Sequence, residues 1–304
     1  MPIPDVTTLP ELGPPSEDSA PPQVLLAARA LIGWMRPEDA RRAVMSNPDY
    51  ARAPEKYLAA VDDTRRAVAA RAEGVDQSEV VMEADASLEP HVTALQATLP
   101  GAQMFAEGWR VARVDLTRVC GYQPIVVSES ALERVEHLGS ADPASVAALA
   151  LPLTSETNMR VQLDAVRQSW IVTCDNPNLR VLGTAGPVAG APGGAPFFGF
   201  GVGVSPSYLQ VVRYRGRHFL RDGYHRSYGF LSRGITVVPA FVRDMQAFEE
   251  VVPDPRVMLP QDAYQGARPP LLVDYLDDTV SASVRAPAVR KMVVIQALEL
   301  TPIG

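Results

Sequence analysis

Apolar and polar positions change period twice along this chain. From Val24 to Met35 the run VLLAARALIGWM is apolar apart from Arg29 and helical in composition, which predicts a core helix. Pro37 and Pro54 then stand where first-turn prolines stand, opening PEDARRAVMS and PEKYLAAVDDTRRAVAARAEG. In the second segment Leu58, Val61 and Val68 share a face, Arg65, Arg66 and Arg71 lie largely off it, and Gly74 is the expected stop. After Gly108 the period shortens. WRVARVDL (109–116) alternates as a strand, and QPIVV (123–127) is a second short one. Ser130 and Glu133 have capping-box spacing and predict a short helix, and Asp142-Pro143 predicts another through Leu151. MRVQLDAVRQSWIVTC (159–174) returns to β-type residues, with Trp170 expected in the core.

The segment from Tyr208 to Arg243 has the clearest order. Leu209, Val211 and Val212 belong to a strand, Arg215-Gly216 makes a turn, and HFLR is the return strand of a hairpin. Asp222-Gly223 breaks that strand. HRSYGFLSR has helical spacing with Tyr228 and Leu231 on one face, Gly234 closes it, and ITVVPAFV is a buried-type strand. Beyond it DMQAFEEVV predicts a short helix, while LLVDYLDDTVSASV and VRKMVVIQALEL alternate like strands. The expected organisation is therefore α+β. A proline-rich disordered lead occupies 1–22, a helical subdomain 23–105, a central domain 106–250 and a C-terminal β extension 251–304. Residues 183–203 hold eight of the 21 glycines, none in G-x-G-x-x-G after a strand, and read as a loop insertion.

Composition narrows the chemistry. The chain has 304 residues, a formal charge of −7 and only two lysines, Lys56 and Lys291, against 26 arginines. No G-K-S/T phosphate loop exists, and a Schiff-base lysine would have to be one of the two. The acidic total argues against broad binding to nucleic acid, which rests on phosphate neutralisation. Cys120 and Cys174 stand far apart without C-x-x-C spacing, and the four histidines include no H-E-x-x-H. No apolar run approaches the roughly 18 residues of a membrane span, and the expected location is cytoplasmic.

The positive charge is focused. Residues 211–233 hold six arginines against the single acid Asp222, a local balance of +5 in a chain of −7. The predicted turn puts Asp222, Gly223, Tyr224, His225 and Arg226 at a helix N-terminus, where backbone N–H groups and the helix dipole favour an anion. Arg226 offers a bidentate phosphate fork, His225 a second donor, and Arg221 a further cation. Asp222 could cap the helix, hold His225, bind a metal or accept a proton. His218 and Cys120 read as structural. Asp274, Asp277 and Asp278 read as a solvated turn ahead of a Mg²⁺ site.

D-G-Y-H-R (222–226), after a hairpin and before a helix and a buried strand, resembles the ParB/sulfiredoxin-like fold. The resemblance implies a nucleotide site in which Gly223, His225 and Arg226 grip the phosphates of ATP or CTP, with Asp222 a weaker match to the family's aspartate; Mg²⁺ would enter only with phosphate transfer or hydrolysis. Tyr224 stands where the reductase branch has its cysteine, and no helix-turn-helix region follows, so neither reductase activity nor chromosome segregation is implied. Three functions stay open. The first is a nucleotide-binding protein that transfers or hydrolyses phosphate, with Asp222 and His225 catalytic. The second is a non-catalytic interaction or assembly component whose N-terminal helical region and Pro-rich arm meet a protein partner. The third is a ParB-like nuclease.

Overall fold

The computed structural model describes residues 24–138, 142–155, 158–174, 176, 178–185, 199–252, 258–289 and 291–296. The expected lead over 1–22 and the middle of the glycine-rich segment lie outside them. The fold is mixed α+β. Its helices are α1 (Pro37–Met45), α2 (Pro54–Ala70), α3 (Glu89–Ala97), α4 (Leu99–Ala106), α5 (Ser128–Val135), α6 (Pro143–Ala150), α7 (Tyr224–Ser232), α8 (Phe248–Val251) and α9 (Gln261–Gln265). The strands are β1 (Leu25–Ala30), β2 (Val81–Met82), β3 (Arg110–Asp115), β4 (Ile125–Val126), β5 (Arg160–Asp164), β6 (Ser169–Cys174), β7 (Leu179–Ala185), β8 (Gly199–Val204), β9 (Gln210–Tyr214), β10 (Arg217–Asp222), β11 (Val237–Asp244), β12 (Ala282–Pro287) and β13 (Lys291–Gln296).

The principal sheet has the order β10-β9-β11-β3-β2, with β11 parallel to β9 and antiparallel to β3. The β9–β10 hairpin turns at Arg215-Gly216, whose φ angles of 48° and 78° give the two left-handed positions such a tight turn requires. A second sheet, β12-β1-β4, corrects the expected core helix at 24–35. Leu25–Ala30 is a strand clamped between β12 and β4, and its partners lie about 100 and 250 residues away in sequence. A short apolar run cannot signal by itself which partner it will find.

Other boundaries move for local reasons. Helix α2 ends at Ala70, because Arg71 is already extended. Gly74 sits in the loop beyond, where its N–H donates to the Ala267 carbonyl at 2.8 Å. Helix α5 starts at Ser128, so Ser130 lies inside it and not at its cap. Asp142 does cap α6 as expected, accepting from the N–H groups of Ala144 and Ser145. The segment LLVDYLDD is a 3₁₀ turn over Leu272–Leu276, not a strand.

One core gathers side chains from all three expected regions: Ile32 and Leu95, Phe219 and Phe241, Leu272 and Tyr275. The C-terminal segment supplies β12 to the β1 sheet, so it is built into the fold and not appended to it. A smaller sheet, β13-β6-β5, packs with the β7–β8 hairpin around Val172, Cys174 and Leu179. Trp170 is 50% exposed on that sheet, which corrects its expected place in the core.

Candidate functional site

Strand β10 ends at Asp222, the chain reverses at Gly223, and α7 begins at Tyr224. Gly223 has φ +104°, and an added Cβ would lie 3.2 Å from Leu209 Cγ and 3.3 Å from Leu209 Cα. Glycine is therefore required here both by conformation and by space. No side chain caps α7, so its first-turn N–H groups keep the local positive end of the helix available. That end borders a cavity of about 150 Å³ walled by Gln123, Arg134, Ser207, Asp222 and His225.

Arg226 is in the wall but does not present a free fork. It is 5% exposed, and its guanidinium donates to the carbonyls of Ala150 (3.2 Å), Leu149 (3.4 Å) and Ser207, and to Ser207 Oγ at 2.8 Å. Leu149 and Ala150 are the last residues of α6, so Arg226 satisfies the orphan carbonyls at the negative end of that helix. Burial lowers its pKa to about 10, still cationic at neutral pH. The bidentate phosphate grip expected of Arg226 would thus come from a guanidinium already bound on one side to Ser207 and the end of α6. It fixes the turn and contributes charge, with Nη1 and one Nη2 hydrogen committed to Ser207 and the end of α6.

The other expected residues divide. Asp222 accepts a hydrogen bond from Ser207 Oγ at 2.9 Å, which ties it to Arg226 through one hydroxyl. No hydrogen bond joins it to His225 among the described residues. Among those residues, too, no group of three or more His, Cys, Asp or Glu is placed to hold a metal. His225 lines the cavity with its pKa lowered to about 4, chiefly by burial and then by Arg134 and Arg226. It meets a ligand as a neutral imidazole with one N–H. Arg221 also borders the cavity, but its guanidinium donates to Gln210 Oε1 (2.6 Å) and the Glu250 carbonyl (3.1 Å) and lies over Trp109. Tyr224 turns away into the core, donating to the Leu220 carbonyl and accepting from the Tyr122 N–H, both at 2.9 Å. Burial holds its phenol well above the ordinary range.

The residue that sequence reasoning missed is Arg134. It is exposed on α5, lines the same cavity and makes no ion pair among the described residues. Its positive charge lies close enough to lower the pKa of both His225 and Arg226. Arg134 stands about 90 positions upstream of the D-G-Y-H-R motif, with nothing local to mark it. It gets there because α5 crosses α7 closely at Gly229, where an added Cβ would be 2.6 Å from Val135 Cγ1. Arg134, Asn178, Ser207 and Arg226 also wall a second, larger cavity of about 890 Å³, which Glu133, His137 and Asn158 border.

Two further expectations settle plainly. His218 is buried, with its N–H and Nδ1 both on Gln77 Oε1 (2.7 and 3.0 Å), and Cys120 is buried with its thiol pushed up to about 12. Both are structural. Asp274 and Asp277 meet Arg71 at 2.9 and 3.2 Å, and Asp278 meets Arg29 at 2.6 Å. The expected solvated turn holds for Asp278, whose side chain is 87% exposed, whereas Asp274 is buried against Arg71, and the cluster forms the acidic half of two arginine contacts. Among the described residues no helix is long and apolar enough to cross a membrane. No family model matches the chain, and neither a curated protein nor a solved structure matches it.

Proposed function

We propose that the chain binds a nucleotide, ATP or CTP, with its phosphates at the N-terminus of α7, in a ParB/sulfiredoxin-like arrangement of hairpin, glycine turn and helix. The observation that carries this reading is the uncapped N-terminus of α7, facing a small cavity also lined by Arg134, which makes no ion pair among the described residues. Backbone N–H groups, a helix dipole and one accessible arginine are the donor set a phosphate needs. The small cavity of about 150 Å³ suits phosphate oxygens rather than a whole nucleotide. The adjoining cavity of about 890 Å³ leaves room for the nucleoside, with Asn158 and Asn178 as polar contacts.

In this reading Arg134 contacts the phosphates, His225 donates one hydrogen bond, and Gly223 lets the backbone approach. Arg226 and Ser207 hold the turn. Asp222 is the carboxylate nearest the phosphates, placed to accept a proton or to meet a Mg²⁺ that enters with the nucleotide. A thermal-shift panel of ATP, CTP, GTP and inorganic triphosphate tests the reading, since binding to the folded state raises apparent stability. A rise with ATP or CTP supports it, and no rise with any of the four sinks it.

A binding-only role is a second reading, favoured by one observation. Asp222 is already engaged with Ser207 at 2.9 Å, in a network whose other end is structural. Binding without phosphate release or transfer would select that role.

A further inference from the structure

The small sheet β13-β6-β5 ends at β5, which is hydrogen-bonded only to β6 among the described residues. Its sequence is Arg160-Val161-Gln162-Leu163-Asp164. Placed antiparallel beside a second copy of itself, with Gln162 opposite Gln162, this strand sets Arg160 of each copy against Asp164 of the other. Val161 of each then meets Leu163 of the other. Sliding the register by two residues in either direction loses both charge pairs, putting Arg160 opposite Gln162 or Val166. A slip by one residue would turn every side chain to the wrong face.

The faces agree with this register. Cross-strand pairing already aligns Leu163, Trp170 and Ile295 in one row, and Val161, Val172 and Val293 in the next. Side chains directly opposite in a ladder share a face, so all six residues lie on one side of the sheet. Val161 is 61% exposed, Leu163 51% and Trp170 50%, at the free edge of an apolar face whose inner part is covered by the β7–β8 hairpin. Arg160, Gln162 and Asp164 alternate onto the opposite face, where their cross-strand neighbours on β6 are Thr173, Ile171 and Ser169. A second copy would join the rows end to end, so that each runs through six apolar residues across six strands.

The other edge of this sheet differs. Strand β13 carries Lys291 with no acid in Lys291–Gln296 to meet it, the usual way an edge is kept from pairing with another copy. Only β5 is self-complementary in both charge and apolar pattern.

We propose that the protein forms a two-fold symmetric dimer through antiparallel pairing of β5 with β5 of a second copy, centred on Gln162. A two-fold contact of this kind closes on itself, using the β5 edge of both copies and leaving only the lysine-bearing β13 edges outside. It is independent of the nucleotide reading.

The test is sedimentation equilibrium on the full chain, with two variants. The wild type is expected to be a dimer, and Arg160→Asp to weaken it about tenfold or more, because two opposite-charge pairs become like-charge pairs. Gln162→Cys is expected to give a disulfide-linked dimer on oxidation, since residues facing each other across a two-fold are within bridging distance. The native Cys120 and Cys174 are buried and do not compete. A wild type that stays monomeric at tens of micromolar overturns the proposal. So does a dimer that is unaffected by Arg160→Asp and gives no cross-link through Gln162→Cys.

Discussion

Arg226 holds Ser207 twice, through its carbonyl and through its hydroxyl, and the same hydroxyl donates onward to Asp222. The pair joins three elements. It connects the first turn of α7, the segment before β9 and, through the Leu149 and Ala150 carbonyls, the end of α6. The family-like motif is thus anchored by its arginine from behind, and the accessible charge comes from a different helix.

Arg226→Ala is expected to destabilise the protein by about 1–3 kcal/mol, because the Leu149 and Ser207 carbonyls lose a donor, while the Ala150 carbonyl keeps the Leu209 N–H. Arg226→Lys should recover only part of this, since one ammonium cannot reproduce a planar fork. Urea denaturation measures both. A loss under about 1 kcal/mol for Arg226→Ala would return the arginine to the role of a free ligand group.

Gly229→Ala is expected to cost about 1–3 kcal/mol by overpacking. Its Cβ would meet Val135 Cγ1 at 2.6 Å and the Ala131 carbonyl at 2.7 Å, both on α5. As α5 carries Arg134, the variant should also weaken phosphate binding. Chemical denaturation and a binding titration of the same sample separate the two effects.

Stability should fall as pH drops from about 6.5 to about 4. His218 and His225 have folded pKa values of about 4, lowered by burial from an ordinary 6.5. Between those values the unfolded chain takes up protons that the folded chain refuses, so stability is complete above 6.5 and is lost on acidification. His225→Gln should flatten the decline. Urea midpoints at half-unit intervals read the slope, and an unchanged slope would contradict the assignment.

Arg134→Ala should raise the pKa of His225 above about 4, because it removes a nearby positive charge. The C–H resonances of the imidazole, followed by NMR against pH, give the value. No change would mean that Arg134 does not face the cavity.

Much of this fold was readable where the signal is local. The turn at Arg215-Gly216, the glycine before α7, the prolines opening α1 and α2, and the Asp142 cap each act within a few residues. Leu25–Ala30 was misread because a strand is chosen by its partners, here at 125–126 and 282–287. Trp170 was misread because alternation marks a strand without saying which face is covered. The site followed the same division. The motif points to Gly223, His225 and Asp222 as one turn, whereas the commitment of Arg226 to α6 and the presence of Arg134 depend on packing between distant helices.

Isothermal titration of ATP and CTP into the wild type and into Arg134→Ala addresses the central claim most directly. Arg134 is exposed and unpaired among the described residues, so its removal should change stability by no more than about 0.5 kcal/mol. The account predicts that the wild type binds at least one of the two nucleotides. It also predicts that Arg134→Ala binds that nucleotide about tenfold or more weakly, at an unchanged melting temperature, through loss of a charge-assisted contact. Failure of the wild type to bind either nucleotide, or equal affinity in the variant, would contradict it.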